Sequence, residues 1–75
     1  KDGNFAFHDN TIVEVMNTIA RWYDVEVEYE GDAVKNKLFG GTISKFESFE
    51  KLLKTIELTG TVKFKIDGRR VIVMT

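Results

Sequence analysis

Apolar residues recur along this chain in two rhythms, and the pair of rhythms occurs twice. Phe5 and Phe7 alternate with polar neighbours as in a strand. Asp9, Asn10 and Thr11 then offer helix-capping oxygens, with Thr11 and Glu14 spaced as a capping box. Ile12, Val15, Met16, Ile19 and Tyr23 fall on one helical stripe, with Trp22 on its flank and Asn17, Thr18 and Arg21 turned away. This predicts a helix of about three turns packed on a sheet. Val25, Val27 and Tyr29 alternate with Glu26, Glu28 and Glu30, the pattern of a strand with one buried and one wet face.

The polar stretch from Glu30 to Lys37 predicts a connecting loop, and Leu38 to Ile43 a further strand. Gly40 and Gly41 weaken that strand, so they mark a bulge or the close approach of another backbone. A second helix is expected from about Glu47-Ser48, using Phe49, Leu52, Leu53 and Ile56 and ending at Thr59-Gly60. Leu58 lies off its stripe, which predicts cover on two sides and hence helices held between sheets. Val62, Phe64 and Ile66 form another alternating strand. Ile66-Asp67-Gly68-Arg69 is a hairpin signal, read as a type I′ turn on Asp67-Gly68, and the last strand is Arg70 to Thr75. That turn sets 64 opposite 71 and 62 opposite 73. Val71 and Val73 then point inward, while Arg70, Ile72 and Met74 point outward with Lys63 and Lys65.

Shifting the chain by 37 places lays Ile12, Val15, Met16, Ile19, Val25, Val27 and Tyr29 on Phe49, Leu52, Leu53, Ile56, Val62, Phe64 and Ile66. With one residue of slack, Phe5 and Phe7 correspond to Gly41 and Ile43. The expected fold is therefore α+β, a duplicated β-α-β unit with two helices packed between a two-stranded and a three-stranded sheet. The strands near 4–7 and 38–43 would form the smaller sheet, and those near 25–29, 62–66 and 70–75 the larger.

The same shift places Glu26 and Glu28 on Lys63 and Lys65. Were those strands neighbours, opposite charges would sit side by side at roughly 0.2 to 1 kcal/mol per pair. Ile72 and Met74 would then lie outward on an edge strand beside Arg70, a place for strand addition by a partner. Arg70, Ile72, Met74, Lys63 and Lys65 are accordingly the candidate partner-binding residues. The alternatives are that a longer parent chain or a neighbouring domain covers them, or that the hairpin register differs by one.

Composition narrows the function. The chain has 75 residues, 43% apolar and 31% charged, with no Cys and a formal net charge of -1. This suits one domain, residues 1–75, in which the core consumes most large apolar side chains and leaves little room for a catalytic cavity. The balanced charge gives no field for a polyanion, and the aromatics Tyr29 and Phe64 have inward parity, unlike the exposed stacking aromatics of RNA-binding sheets. His8 is the lone histidine, and without Cys it cannot build a zinc site. Glu26, Glu28 and Glu30 line a wet strand face rather than a cleft. No catalytic, metal or cofactor site is expected. The apolar run Val71 to Met74 is far short of the roughly 20 residues of a membrane span. The start Lys1-Asp2-Gly3 reads as a fragment of something longer.

The order Phe5-x-Phe7, then Ile12-x-x-Val15-Met16-x-x-Ile19-x-Arg21-Trp22-Tyr23-Asp24-Val25-x-Val27, then Phe39-x-Gly41-x-Ile43, Leu52-Leu53-x-x-Ile56 and Val62-x-Phe64-x-Ile66-x-Gly68 resembles the C-terminal domain of FecR-type anti-sigma regulators, in the form found in Bacteroidetes. It departs from that pattern at Thr11, where a Pro often opens the first helix. The family resembles in turn the short N-terminal signalling domain of secretins and TonB-dependent receptors. The resemblance implies the C-terminal, periplasmic domain of a single-pass inner-membrane regulator. Its partner would be the periplasmic signalling domain of an outer-membrane TonB-dependent transducer. An extracytoplasmic-function sigma factor would be held by the parent's cytoplasmic segment. Alternative readings are the signalling domain of a TonB-dependent receptor or secretin itself, or a small RNA-binding domain.

Overall fold

Thr11 ends one strand and starts one helix. Its side chain accepts from the Glu14 backbone N–H, and the Glu14 carboxylate accepts in return from the Thr11 N–H, so the capping box read from the sequence is closed. In the computed structural model, which describes residues 3–58 and 62–75, this junction links β1 (Asn4–Thr11) to α1 (Ile12–Tyr23). There follow β2 (Glu26–Tyr29), a 3-10 helix (Ala33–Asn36), β3 (Leu38–Ser44), α2 (Phe49–Glu57), β4 (Lys63–Asp67) and β5 (Arg70–Met74).

The repeat holds at the level of elements. Helices α1 and α2 begin 37 residues apart, at Ile12 and Phe49, as do β2 and β4, at Glu26 and Lys63. Ser48 caps α2 as Thr11 caps α1, accepting from the Lys51 N–H at 3.2 Å. The expected end of α2 at Thr59-Gly60 lies outside the described residues. Leu58, the C-cap, is 82% exposed, so the second cover expected for it is not found among the described residues.

Two sheets form as expected: β1 pairs antiparallel with β3, and the larger sheet has the order β2-β5-β4. Helix α1 packs on β1, β2 and β3, and α2 on β3 and β4. Ile12, Val15, Met16, Ile19, Leu52, Ile56, Val71 and Val73 are fully buried between the layers, at roughly 1.5 to 3 kcal/mol for each large side chain. Tyr29 and Phe64 pack against this core from the inner face, as their parity predicted. Ile66, expected inward, is 41% exposed.

Strand order departs from the expectation. β5 is the central strand, not an edge, and it separates β2 from β4. Glu26 and Glu28 therefore do not stand beside Lys63 and Lys65. The physical reason is that Arg70–Met74 is apolar on both faces, with Val71 and Val73 inward and Ile72 and Met74 outward, so it gains most from a neighbour on each side. The charged strands β2 and β4 are left as edges.

The hairpin register also differs. Asp67 faces Arg70, Lys65 faces Ile72 and Phe64 faces Val73, so the two loop residues are Gly68 and Arg69. Gly68 has φ 64 and Arg69 has no positive φ, as in a turn with Gly at its first central position. The expected register would have set Lys65 opposite Arg70, two like charges; the observed one sets Asp67 there. Facing parity is the same in both registers, which is why Val71 and Val73 are inward as expected.

The irregularity foreseen at Gly40 and Gly41 is a bulge in the opposite strand. Phe7 pairs with Gly41 and Asn10 with Phe39, leaving one extra residue on β1, where Asp9 takes φ 54. The predicted loop from Glu30 to Lys37 contains the 3-10 helix, whose Val34 is fully buried.

Candidate functional site

The outer face of the three-stranded sheet brings all five candidate residues together. Across the sheet, one row is Glu26, Arg70 and Asp67; the next is Glu28, Ile72 and Lys65; beyond it Met74 lies beside Lys63. The face is striped, with glutamates on β2, a half-buried apolar ridge of Ile72 and Met74 on β5, and lysines on β4. Arg70 reaches across to Glu28, with Nε 3.5 Å from Oε2, taking the role expected of the lysines. Both side chains are about half exposed, so the pair adds on the order of 0.2 to 1 kcal/mol and mainly sets the orientation of the two chains. The outward-facing residues of this sheet include no aromatic; Tyr29 and Phe64 lie beneath it.

Residues 4–73 match the family described as FecR, C-terminal. The chain belongs to the FecR C-terminal family. Its fold is similar to that in two crystal structures of a candidate anti-sigma factor from Parabacteroides distasonis ATCC 8503. The TM-scores are 0.83 and 0.84, each at 19% identity and over 97% of this chain. The chain spans 34% of the length of each of those chains. A comparison with the curated proteins finds no match.

A second exposed surface on this FecR domain was not singled out in the sequence. Trp22, placed by the sequence on the flank of the α1 stripe, is 52% exposed; its indole N–H donates to the Lys45 carbonyl at 3.1 Å, and its ring meets Phe5 edge-on. Lys45 Nζ lies over both rings, at 5.5 Å from Trp22 and 5.6 Å from Phe5. Phe46, at the turn before α2, is 83% exposed, and a methyl added at Gly3 would sit 3.1 Å from its Cε2. A phenylalanine set among Lys45, Glu47 and Ser48, outside both helical stripes, was the available signal.

His8 is exposed within the β1 bulge, its backbone N–H donating to Asn10 Oδ1 at 2.8 Å. Among the described residues no three His, Asp or Glu side chains converge as metal ligands would, and no helix is long and apolar enough to cross a membrane.

Proposed function

We propose that this FecR domain is the signal-receiving, periplasmic part of a membrane-anchored anti-sigma regulator. It docks on the periplasmic signalling domain of an outer-membrane TonB-dependent transducer. The extracytoplasmic-function sigma factor is held by a cytoplasmic segment of the parent protein, outside these residues. Family membership supports the regulatory role. The observation that carries the docking role is the striped outer sheet face, where Ile72 and Met74 keep apolar surface in water between a basic and an acidic strand. Apolar centres with charged rims are what protein interfaces desolvate.

Capture of the cognate transducer's signalling domain tests this. The Ile72→Asp, Met74→Asp double variant, its fold verified by circular dichroism, is expected to bind at least about tenfold more weakly, or ~1.4 kcal/mol. Unchanged capture by a folded double variant would remove this face from the reading.

A further inference from the structure

Of the four edge strands, β1, β4 and β2 treat their outer backbone groups differently. On β4 the Phe64 N–H points away from β5 and is taken by the Glu57 carboxylate, Oε2 accepting at 2.8 Å. On β1 the bulge turns the strand, and Asn10 accepts from the His8 N–H. Both devices blunt an edge against further pairing.

Strand β2 has neither. Its Glu26 and Glu30 N–H groups donate to Arg69 and Val73 carbonyls at 2.7 and 2.8 Å, so they face β5. By the alternation of a strand, Val27 and Tyr29 direct their amides and carbonyls the other way, and no strand lies there among the described residues. Beneath that edge Val27 and Tyr29 are only half-buried, whereas their partners Val71 and Val73 are fully buried. Apolar inner-face surface of Val27 thus stays open along the edge, while the Lys35 ammonium lies over the Tyr29 ring, 5.6 Å from its centroid. Above it Glu26, Glu28 and Glu30 are exposed, and among the described residues only Glu28 of these has an ion-pair partner, Arg70.

We infer that the β2 edge is a strand-addition site for an extended segment of a partner protein in which Lys or Arg alternates with β-branched or aromatic residues. This rests on the reading of the domain as a docking module and adds the edge and the chemistry of the added strand. Backbone pairing to Val27 and Tyr29 supplies the ladder. The incoming apolar residues complete the inner face, and the incoming cations meet the three glutamates. Charge complementarity selects this occupant over a strand rich in acids.

The probe is a short synthetic peptide alternating Lys with Val, compared with one alternating Glu with Val, added to the 75-residue chain. The Lys peptide is expected to bind, slow hydrogen exchange at the Val27 and Tyr29 amides by at least about tenfold, and leave the Phe64 amide unchanged. The Glu26→Lys, Glu30→Lys double variant alters two exposed side chains without disturbing the Glu28–Arg70 pair, and is expected to reverse the preference between the peptides. Equal binding of both peptides, slowing centred on β4, or no slowing at either amide would overturn the inference. Self-association without peptide that protects Val27 and Tyr29 would overturn the occupant, assigning the edge to a second copy. The peptide assay does not use the transducer, and Ile72→Asp, Met74→Asp leaves the β2 edge in place. Loss of capture with edge binding intact therefore indicts the sheet face, and the converse indicts the edge.

Discussion

Arg69, 45 residues further along the chain, clamps the end of α1 by holding Asp24. Its guanidinium donates to the Asp24 backbone carbonyl, from Nε at 3.3 Å and Nη2 at 3.0 Å, and to the Asp24 carboxylate through Nη2. Asp24 is the C-cap of α1, in the left-handed conformation with φ 58, so the cation sits where the helix carbonyls point outward. The Glu26 N–H donates back to the Arg69 carbonyl at 2.7 Å, tying the hairpin loop to the start of β2. The shifted hairpin register is what puts Arg69 in the loop, free to reach across.

Arg69→Ala should therefore lower stability by about 0.5 to 1 kcal/mol, the range of an exposed ion pair with a helix-end contribution. Arg69→Lys should recover only part of it, because an ammonium cannot serve carbonyl and carboxylate as a planar fork does. Urea unfolding of the two variants checks this. Equal stability of the alanine variant and wild type would make the clamp ornamental.

Gly40 should not tolerate a side chain. Its φ is not left-handed, so the obstacle is space: an added methyl would sit 3.1 Å from Asp9 Oδ1 and 3.2 Å from the Asp9 backbone nitrogen, inside the β1 bulge. Gly40→Ala is expected to cost about 1 to 3 kcal/mol through overpacking against backbone. Gly68→Ala, with open space around it but φ 64, should cost nearer 1 kcal/mol from conformation alone. A thermal melt that ranks them the other way would mean the bulge yields easily.

Val34 offers a larger effect from a less conspicuous residue. It is fully buried although it lies in the polar stretch between the repeats, where the 3-10 helix Ala33–Asn36 drops it against α1. Val34→Ala should lose about 1 to 3 kcal/mol. Denaturant titration measures it, and a loss below about 0.5 kcal/mol would show that the linker closes the core only loosely.

What could be read from the sequence was local. The stripe from Ile12 to Ile19, the Thr11 cap and the alternation of Val25, Val27 and Tyr29 each follow from the geometry of one element, and duplication allowed one half to vouch for the other. Strand order did not follow, because the β5 neighbours are decided by which strand profits most from two partners. The pairing of Glu26 and Glu28 with Lys63 and Lys65 suggested a contact that β5 occupies. The register was within reach: setting Lys65 opposite Arg70 is a like-charge pair, and avoiding it favours Asp67 there. Val34 was hidden because one apolar residue in a charged stretch has no periodicity to announce it. The outward direction of Ile72 and Met74 was legible, their central position in the sheet was not.

Tyr29 carries a hydroxyl that is buried and has no hydrogen-bond partner among the described residues. Removing an orphaned polar group lifts its desolvation cost, so Tyr29→Phe should be neutral or stabilising by up to about 1 kcal/mol. A clear loss of stability in chemical denaturation would reveal a partner for that oxygen.

Tyr23 should help to set the alkaline limit of stability. Its hydroxyl donates to the Glu47 carbonyl at 2.7 Å, fastening the end of α1 to the turn before α2. Burial, and then the negative charge of Glu47, raise its pKa above the ordinary 10.0, and burial raises that of Tyr29 as well. A raised value means the folded state holds the phenolic proton more tightly than the unfolded chain. The stability that this contributes is complete below pH 10.0 and is lost as pH rises from there through the folded-state value. Thermal midpoints should thus show no tyrosine-linked decline at neutral pH and a steepening one above pH 10.0. Tyr23→Phe should be less stable at neutral pH by about 1 kcal/mol, from the lost hydrogen bond, yet decline less above that point, since one titrating group has gone. A variant whose alkaline slope matches wild type would assign that limit to Tyr29 or to another group.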